Sequence, residues 1–394
     1  MDILLLTSTF HPLTGGAETY AQLLAQGLAG AGHRVTVATD GSWLSDRPIV
    51  EHVDGYRVLR LREFAEVVDA RDKVKWRQMQ YSVLNELGQL LAGQRFDLVH
   101  ANSHECLVLA AMIALDGDSA LVASLHEQNP DLEPYGLGRC RLSYQTLPVR
   151  VVLAASRFYL ERARRFGVPP ERVRLVYHGV AIEQRGAEDR ARERRRLGVG
   201  DDELLLVCPG RIYTRKGQVH LGGALPAIRA ALPAVRVLFA GRISDFGYAQ
   251  RLRQLLAAGG VADVVTFDET RTASDMPDVY AAADVVVQPS LEEGLGLTVI
   301  EAMAAGRPVV ASDVVGIEEV VTHEHDGLLV PPADPERLAR AVIAMATSPA
   351  LAADCAAAAL ATVRERFTQE RMVAETLAAY EAALNEGASG RPAP

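Results

Sequence analysis

Glu293 and Glu301 stand on either side of a glycine-rich turn, and that grouping is the part of the sequence best suited to chemistry. The stretch Asp284-Val-Val-Val-Gln-Pro-Ser-Leu-Glu-Glu-Gly-Leu-Gly-Leu-Thr-Val-Ile-Glu-Ala-Met-Ala-Ala-Gly-Arg-Pro308 reads as strand, tight loop, helix and second turn. With the helix opening near Gly296, the amides of Leu295, Gly296, Leu297 and Thr298 lack a carbonyl one turn back and point outward. The helix dipole there favours an anion by about 0.3–1 kcal/mol, so a phosphate is the natural occupant. Glu301 lies one turn beyond Leu297, and both carboxylates can face one ligand that spans the loop and the first turns. Two acids beside a phosphate are unfavourable unless they accept hydrogen bonds from hydroxyls. A sugar at Glu293 and a ribose at Glu301 would account for both.

Cations complementary to such a ligand follow the expected strand 204–208, in Gly210-Arg-Ile-Tyr-Thr-Arg-Lys-Gly217. Open α/β sheets bind ligands at the C-terminal ends of their strands, which is where Arg211 and Lys216 fall. Their charge would stabilise a departing diphosphate; Arg215, offset from the pair, is expected to be solvated. In the first half of the chain, Gly15-Gly16 opens a helix after the expected strand 3–6, where two glycines let backbone approach a ligand. His126 ends the expected strand 121–125, and Gly241 follows the expected strand 235–240.

Residues 290–308 resemble the Glu-x7-Glu signature of retaining glycosyltransferases of family 4 (glycosyl transferases group 1), which includes sucrose synthases and bacterial mannosyl- and glucosyltransferases. The resemblance runs from Gly15-Gly16 to the terminal helix. It implies the GT-B fold: two Rossmann-like, doubly wound α/β domains facing a cleft, with a C-terminal helix crossing back to the first. It also implies a nucleoside diphosphate sugar as donor, a UDP-sugar ahead of a GDP-sugar, and transfer of a hexose to a hydroxyl with retention, without metal or other cofactor. Arg211 and Lys216 match the family's diphosphate-gripping pair, Gly15-Gly16 the glycines over the donor phosphate, and Gly241 the glycine bounding the base pocket. His126 matches a histidine placed against the transferred sugar. The chain departs from the family pattern at Glu127 (Asp in the family), at His178 of Tyr177-His-Gly-Val180 (Asn), and at Arg242 (small or acidic). The rival readings are a sugar-nucleotide epimerase of the same build and a non-catalytic nucleotide-sugar-binding partner.

These residues need rigid elements behind them, and the apolar pattern supplies them. Short β-branched runs at 3–6, 35–39, 56–61, 97–101, 121–125, 151–154 and 173–177 alternate with amphipathic stretches, which specifies parallel sheet covered by helices. The pattern restarts at 204–208, 235–240, 263–267, 284–288, 308–311 and 328–330. Expected domains are therefore 1–182 (acceptor side) and 183–366 (donor side), followed by a helix at 367–385 on the first domain and a disordered tail at 386–394. Residues 183–196 are expected to be an interdomain linker ending in a solvated helix. Two irregular segments, 62–77 and 129–149, fall where acceptor loops would be and carry Lys75, Trp76, Tyr135 and Tyr144.

Composition narrows the partners. At 394 residues with 49% hydrophobic residues the chain can bury two cores, and a net charge of −9 argues against a nucleic-acid partner. Four scattered cysteines without a CxxC pair suggest neither zinc nor a disulfide framework, so a cytoplasmic setting is expected. Asp116-Gly-Asp118 reads as a turn rather than a metal site. HExxH, P-loop and GxGxxG motifs are lacking from the sequence. The arginines of 157–172 are read as a solvated helix, which leaves membrane contact at most peripheral. The acceptor, whether small molecule, lipid or glycan, stays open.

Overall fold

The computed structural model describes residues 1–13, 15–41, 47–62, 73–126, 136–183 and 185–389. It divides into two compact units, Met1–Gly179 with Gln369–Pro394, and Val180–Thr368.

The first unit runs β1 (Asp2–Thr7), α1 (Gly16–Gly30), β2 (Arg34–Asp40), β3 (Val50–Val53), β4 (Tyr56–Leu61), α2 (Lys73–Leu90), β5 (Leu98–Ala101), α3 (His104–Gly117), β6 (Ala120–Leu125), α4 (Gly136–Thr146), β7 (Val149–Ala154), α5 (Arg157–Arg165) and β8 (Val173–Leu175). The strands form one sheet in the order β3-β4-β2-β1-β5-β6-β7-β8. All neighbours pair parallel except β3, which runs antiparallel to β4 as an edge strand. Its sequence Val-Glu-His-Val is too short and too polar to have been read as a strand. The central strands are buried on both faces, as parallel sheet between helices requires.

The second unit runs α6 (Ala187–Arg196), β9 (Leu204–Pro209), α7 (Gln218–Ala231), β10 (Val235–Ala240), α8 (Phe246–Ala258), β11 (Val265–Asp268), α9 (Met276–Ala282), β12 (Val285–Gln288), α10 (Leu297–Ala304), β13 (Val309–Ser312), β14 (Leu328–Val330), α11 (Pro335–Thr347) and α12 (Pro349–Arg366). Its sheet is wholly parallel, in the order β11-β10-β9-β12-β13-β14. The order reverses direction at β9 and β12, the switch point at whose C-terminal ends such sheets open a ligand crevice. Helix starts are fixed locally. Asp245, Asp334 and Ser348 cap α8, α11 and α12 through their side chains, and Pro335 and Pro349 open the last two.

The chain then returns to the first unit through α13 (Gln369–Ser389), whose Met372, Val373, Ala379, Tyr380 and Ala383 complete the core on the α1 side of the sheet. Burying Met372 and Val373 is worth about 1.5–3 kcal/mol each, which helps anchor the helix.

Several expectations need correction. Residues 183–196 are not a linker with a solvated helix, because α6 packs into the second unit. Arg190 donates to the carbonyls of Ala281, Ala282 and Ala283, and Arg194 and Glu193 are buried. Their charged periodicity hid a buried face in which Glu193 pairs with Arg271 and the arginines bond to the end of α9, to Asp284 and to the carbonyls of Gly200 and Glu203. The terminal helix starts at Gln369 rather than 367 and continues through Ser389, where a tail from 386 was expected. Residues 390–394 of that tail lie outside the described residues. The segments read as irregular are mostly helical where they are described, as the start of α2 and as α4, with the second ending on the first residue of β7. In α4, Cys140 and Tyr144 form a buried i, i+4 pair among polar neighbours, and Tyr144 stacks on Phe166 at 5.9 Å. Tyr135 and the side chains of Lys75 and Trp76 lie outside the described residues, as does Glu127. On α5, Arg162 is buried with its guanidinium 4.6 Å from the Phe158 ring centroid, so that helix is only partly solvated.

Candidate active site

In the second unit the predicted donor-site residues converge at the C-terminal ends of β9 and β12. Lys216 closes a short 3-10 turn, Thr214–Lys216. Gly217 follows at φ +66, where an added Cβ would meet the Pro289 carbonyl oxygen at 1.9 Å. Only glycine permits that approach. The loop is pinned to its neighbour because the Leu291 amide donates to the Arg215 carbonyl at 2.8 Å. Lys216 Nζ thereby lies 2.6 Å from Glu293 Oε1.

Glu293 is 6% exposed. The same Oε1 accepts the Ser290 hydroxyl at 2.7 Å. Ser290 in turn accepts from Gln288 Nε2 at 2.7 Å, and Gln288 Oε1 accepts from Thr298 Oγ1 at 3.1 Å. Gln288 and Ser290 are fully buried. Gly296 caps α10 in the left-handed region, so the helix proper opens at Leu297. Leu295 and Gly296 are buried, and Leu297 and Thr298 are half-buried.

One turn into α10, the half-buried Glu301 accepts the Tyr280 hydroxyl at Oε2, at 2.7 Å. Burial pushes its carboxyl up to about 6, against the pull of the Tyr280 hydrogen bond and of the Lys216 charge. Lys216 therefore acts on both carboxylates. The group can hold an anion at the cation and helix start while the two glutamates accept from hydroxyls.

Arg211 and Arg215 exchange the surroundings expected of them. Arg211 is exposed, its guanidinium 5.2 Å from the Tyr213 ring centroid. Arg215 is the more enclosed, at 5.5 Å from the same ring, bonded to the Tyr213 hydroxyl at 3.0 Å and 3.8 Å from Glu292. The ring of Tyr213 and the acid of Glu292 hold it, and neither is visible from spacing. Gly241 has φ +152, and a Cβ there would meet the Gly210 carbonyl oxygen at 2.4 Å, so β9 and β10 end in close contact. Arg242 beside it is exposed.

In the first unit His126 ends β6 half-buried, with Nε2 3.1 Å from Asn102 Oδ1. Its ring lies 5.2 Å from Tyr20 and 5.1 Å from His178, and the latter two stack at 4.2 Å. Beneath them the fully buried His100 bridges Ser124 at 2.8 Å and the Tyr380 hydroxyl at 2.6 Å, and Tyr20 reaches the same serine at 3.1 Å. Burial holds the imidazoles neutral, His126 down to about 4 and His100 down to about 3, with His178 also well below the usual value. His126 is thus a neutral hydrogen-bonding group, engaged with Asn102. Gly15 precedes α1 and Gly16 is its first residue. A Cβ at Gly16 would meet nothing within 4 Å, and one at Gly15 only the flexible Glu18 carboxylate, so neither glycine is demanded by packing.

Sequence reasoning did not find Tyr280, Ser290 or Gln288, nor the Tyr20–His178–His100 cluster. Ser290 and Gln288 lay inside the quoted motif, but nothing in the spacing assigned them a task. Among the described residues no group of three His, Cys, Asp or Glu side chains could hold a metal ion. Asp118 is the left-handed C-cap of α3, as a turn residue.

Two doubly wound parallel sheets, with the chain returning to the first, define the GT-B glycosyltransferase architecture. Solved structures agree. An Anabaena HepE crystallised with UDP-glucose matches at TM-score 0.77 over 96% of this chain and 99% of that one, at 24% identity. Sucrose-phosphate synthase of Thermosynechococcus elongatus matches at TM-score 0.80 over 98% and 99%, also at 24% identity. Family models match residues 14–184 (Glycosyltransferase Family 4) and 203–348 (Glycosyl transferases group 1). A D-inositol 3-phosphate glycosyltransferase of Catenulispora acidiphila is 30% identical over 96% of this chain and 93% of its own length. An uncharacterized glycosyltransferase of Methanocaldococcus jannaschii is 26% identical over 98% and 99%. The chain belongs to the group 1, family 4 glycosyltransferases.

Proposed function

We propose that the protein transfers a hexose from a nucleoside diphosphate sugar, a UDP-sugar ahead of a GDP-sugar, to a hydroxyl acceptor, with retention and without a metal ion. The observation that carries this reading is the Lys216–Glu293 pair at 2.6 Å beside the start of α10, with Glu301 on the next turn. In this reading Lys216 and Arg211, with the amides of Leu297 and Thr298, neutralise the diphosphate. Glu293 accepts from hydroxyls of the sugar and Glu301 from those of the ribose. Gly241 is assigned to the base, His126, kept neutral, to the sugar, and Gly15-Gly16 to the donor phosphate. The bond from the anomeric carbon to the diphosphate breaks as the acceptor hydroxyl attacks from the same face, and the acceptor proton passes to the departing phosphate oxygen. The UDP preference and a phosphorylated polyol as first acceptor to try draw support from the HepE complex with UDP-glucose and from the D-inositol 3-phosphate glycosyltransferase relative.

A thermal-shift series with UDP, UDP-glucose and GDP-mannose tests the donor. Binding raises stability by about 2.7 kcal/mol at a hundredfold excess over Kd. Transfer to inositol 3-phosphate, read by proton NMR for the anomer and repeated with EDTA, tests the rest. Loss of transfer is expected in Glu293→Ala, Glu301→Ala and Lys216→Ala, and unchanged activity in all three overturns the assignment.

A further inference from the structure

Both donor-site carboxylates are tied through one oxygen and by a neutral hydroxyl. Ser290 Oγ donates to Glu293 Oε1, and Tyr280 OH donates to Glu301 Oε2, each at 2.7 Å. We propose that Ser290 and Tyr280 are positioning residues that fix the planes of Glu293 and Glu301 and leave Oε2 of the first and Oε1 of the second to receive donor hydroxyls. The assignment rests on the donor reading above.

The direction of the proton chain supports the role. Thr298 donates to Gln288 Oε1, which decides which end of that amide meets Ser290. Gln288 Nε2 then donates to Ser290 Oγ, so the serine's only proton is left for Glu293. Gln288 and Ser290 are buried and the relay starts on the first turn of α10, so the glutamate is oriented from the same helix whose amides would face the donor. Lys216 is a poor substitute. In the donor reading its three protons are drawn to the diphosphate, whereas a hydroxyl stays with the carboxylate whichever partner the lysine takes. Tyr280 does the same for Glu301 from α9, where its 2% exposure leaves the ring no room to swing. A carboxylate pinned at one oxygen loses rotation about its last bond, and that is the freedom which degrades alignment with a hydroxyl.

The test uses the full chain and whichever of UDP-glucose, UDP-N-acetylglucosamine and GDP-mannose stabilises the wild type most. Ser290→Ala should lower kcat about ten- to a hundredfold while the Kd of the free nucleoside diphosphate stays unchanged, since Glu293 serves the sugar end. Tyr280→Phe should instead weaken that diphosphate's binding about tenfold, with kcat at saturation largely kept. Ser290→Thr keeps the hydroxyl and should rescue. In a Glu293→Gln background, Ser290→Ala should cost about threefold or less, because its target is gone. Melting curves accompany every variant. If kinetics and Kd match the wild type while only melting falls, the hydroxyls are structural and the proposal is overturned. If the serine effect persists undiminished beside Glu293→Gln, the proposal also falls. Should the wild type bind none of the three sugars, the donor reading itself fails and takes the proposal with it.

Discussion

Replacing Lys216 with methionine keeps most of the side-chain volume and removes one charge from a pair that is 15% and 6% exposed on its two sides. Breaking a fully buried ion pair costs about 3–5 kcal/mol, and an exposed one about 0–1 kcal/mol. Here Glu293 keeps the Ser290 hydroxyl, and Lys216 retains some access to water, so the expected loss is about 2 kcal/mol. For a unit of this size that is a fall in Tm of about 4–8 °C. The cost comes from the charge left on Glu293, so Glu293→Gln placed on top of Lys216→Met should restore most of it. Differential scanning calorimetry on the four proteins of this cycle is the assay. A Lys216→Met melting point within about 1 °C of wild type, or a double variant no more stable than the single, refutes the view that the pair is held as an enclosed ion pair.

Burial raises the Glu301 carboxyl to about 6, so donor affinity measured by calorimetry should fall as pH drops below that value. Glu301→Gln should remove the pH dependence. Gly217→Ala should cost several kcal/mol, of order 3 or more, because a Cβ at 1.9 Å from the Pro289 carbonyl must move backbone; soluble protein with wild-type melting would contradict this. His100, His126 and His178 are neutral when folded and take up protons near 6.5 when unfolded, so they favour unfolding as pH falls below 6.5. Glu301 has the opposite sign between its ordinary 4.5 and about 6, and one glutamate offsets only part of three histidines. Urea midpoints should therefore be lower at pH 5 than at pH 7, and equal midpoints would count against the buried neutral cluster.

The strands were legible because central strands buried on both faces must be mostly apolar runs, and the thirteen runs read as strand coincide with strands of the two sheets. The edge strand β3 was missed because its pairing partner, rather than its own composition, makes it a strand. The glycine turn before α10 and the lysine before α7 were legible for a local reason. Helix starts and left-handed turns are specified within a few residues. Only the tertiary structure decided what those residues touch. Lys216 meets Glu293 across 77 positions and Tyr280 meets Glu301 across 21. His100 meets Tyr380 across 280, after the chain has built the whole second unit and returned. Such pairings follow from which strand ends the sheet order brings together and which side chains burial then leaves in need of a partner. The sequence pattern therefore determined two doubly wound sheets and the glycine turn that opens α10. The exposure of Arg211, the enclosure of Arg215 and the hydroxyls that hold the two glutamates came from packing alone.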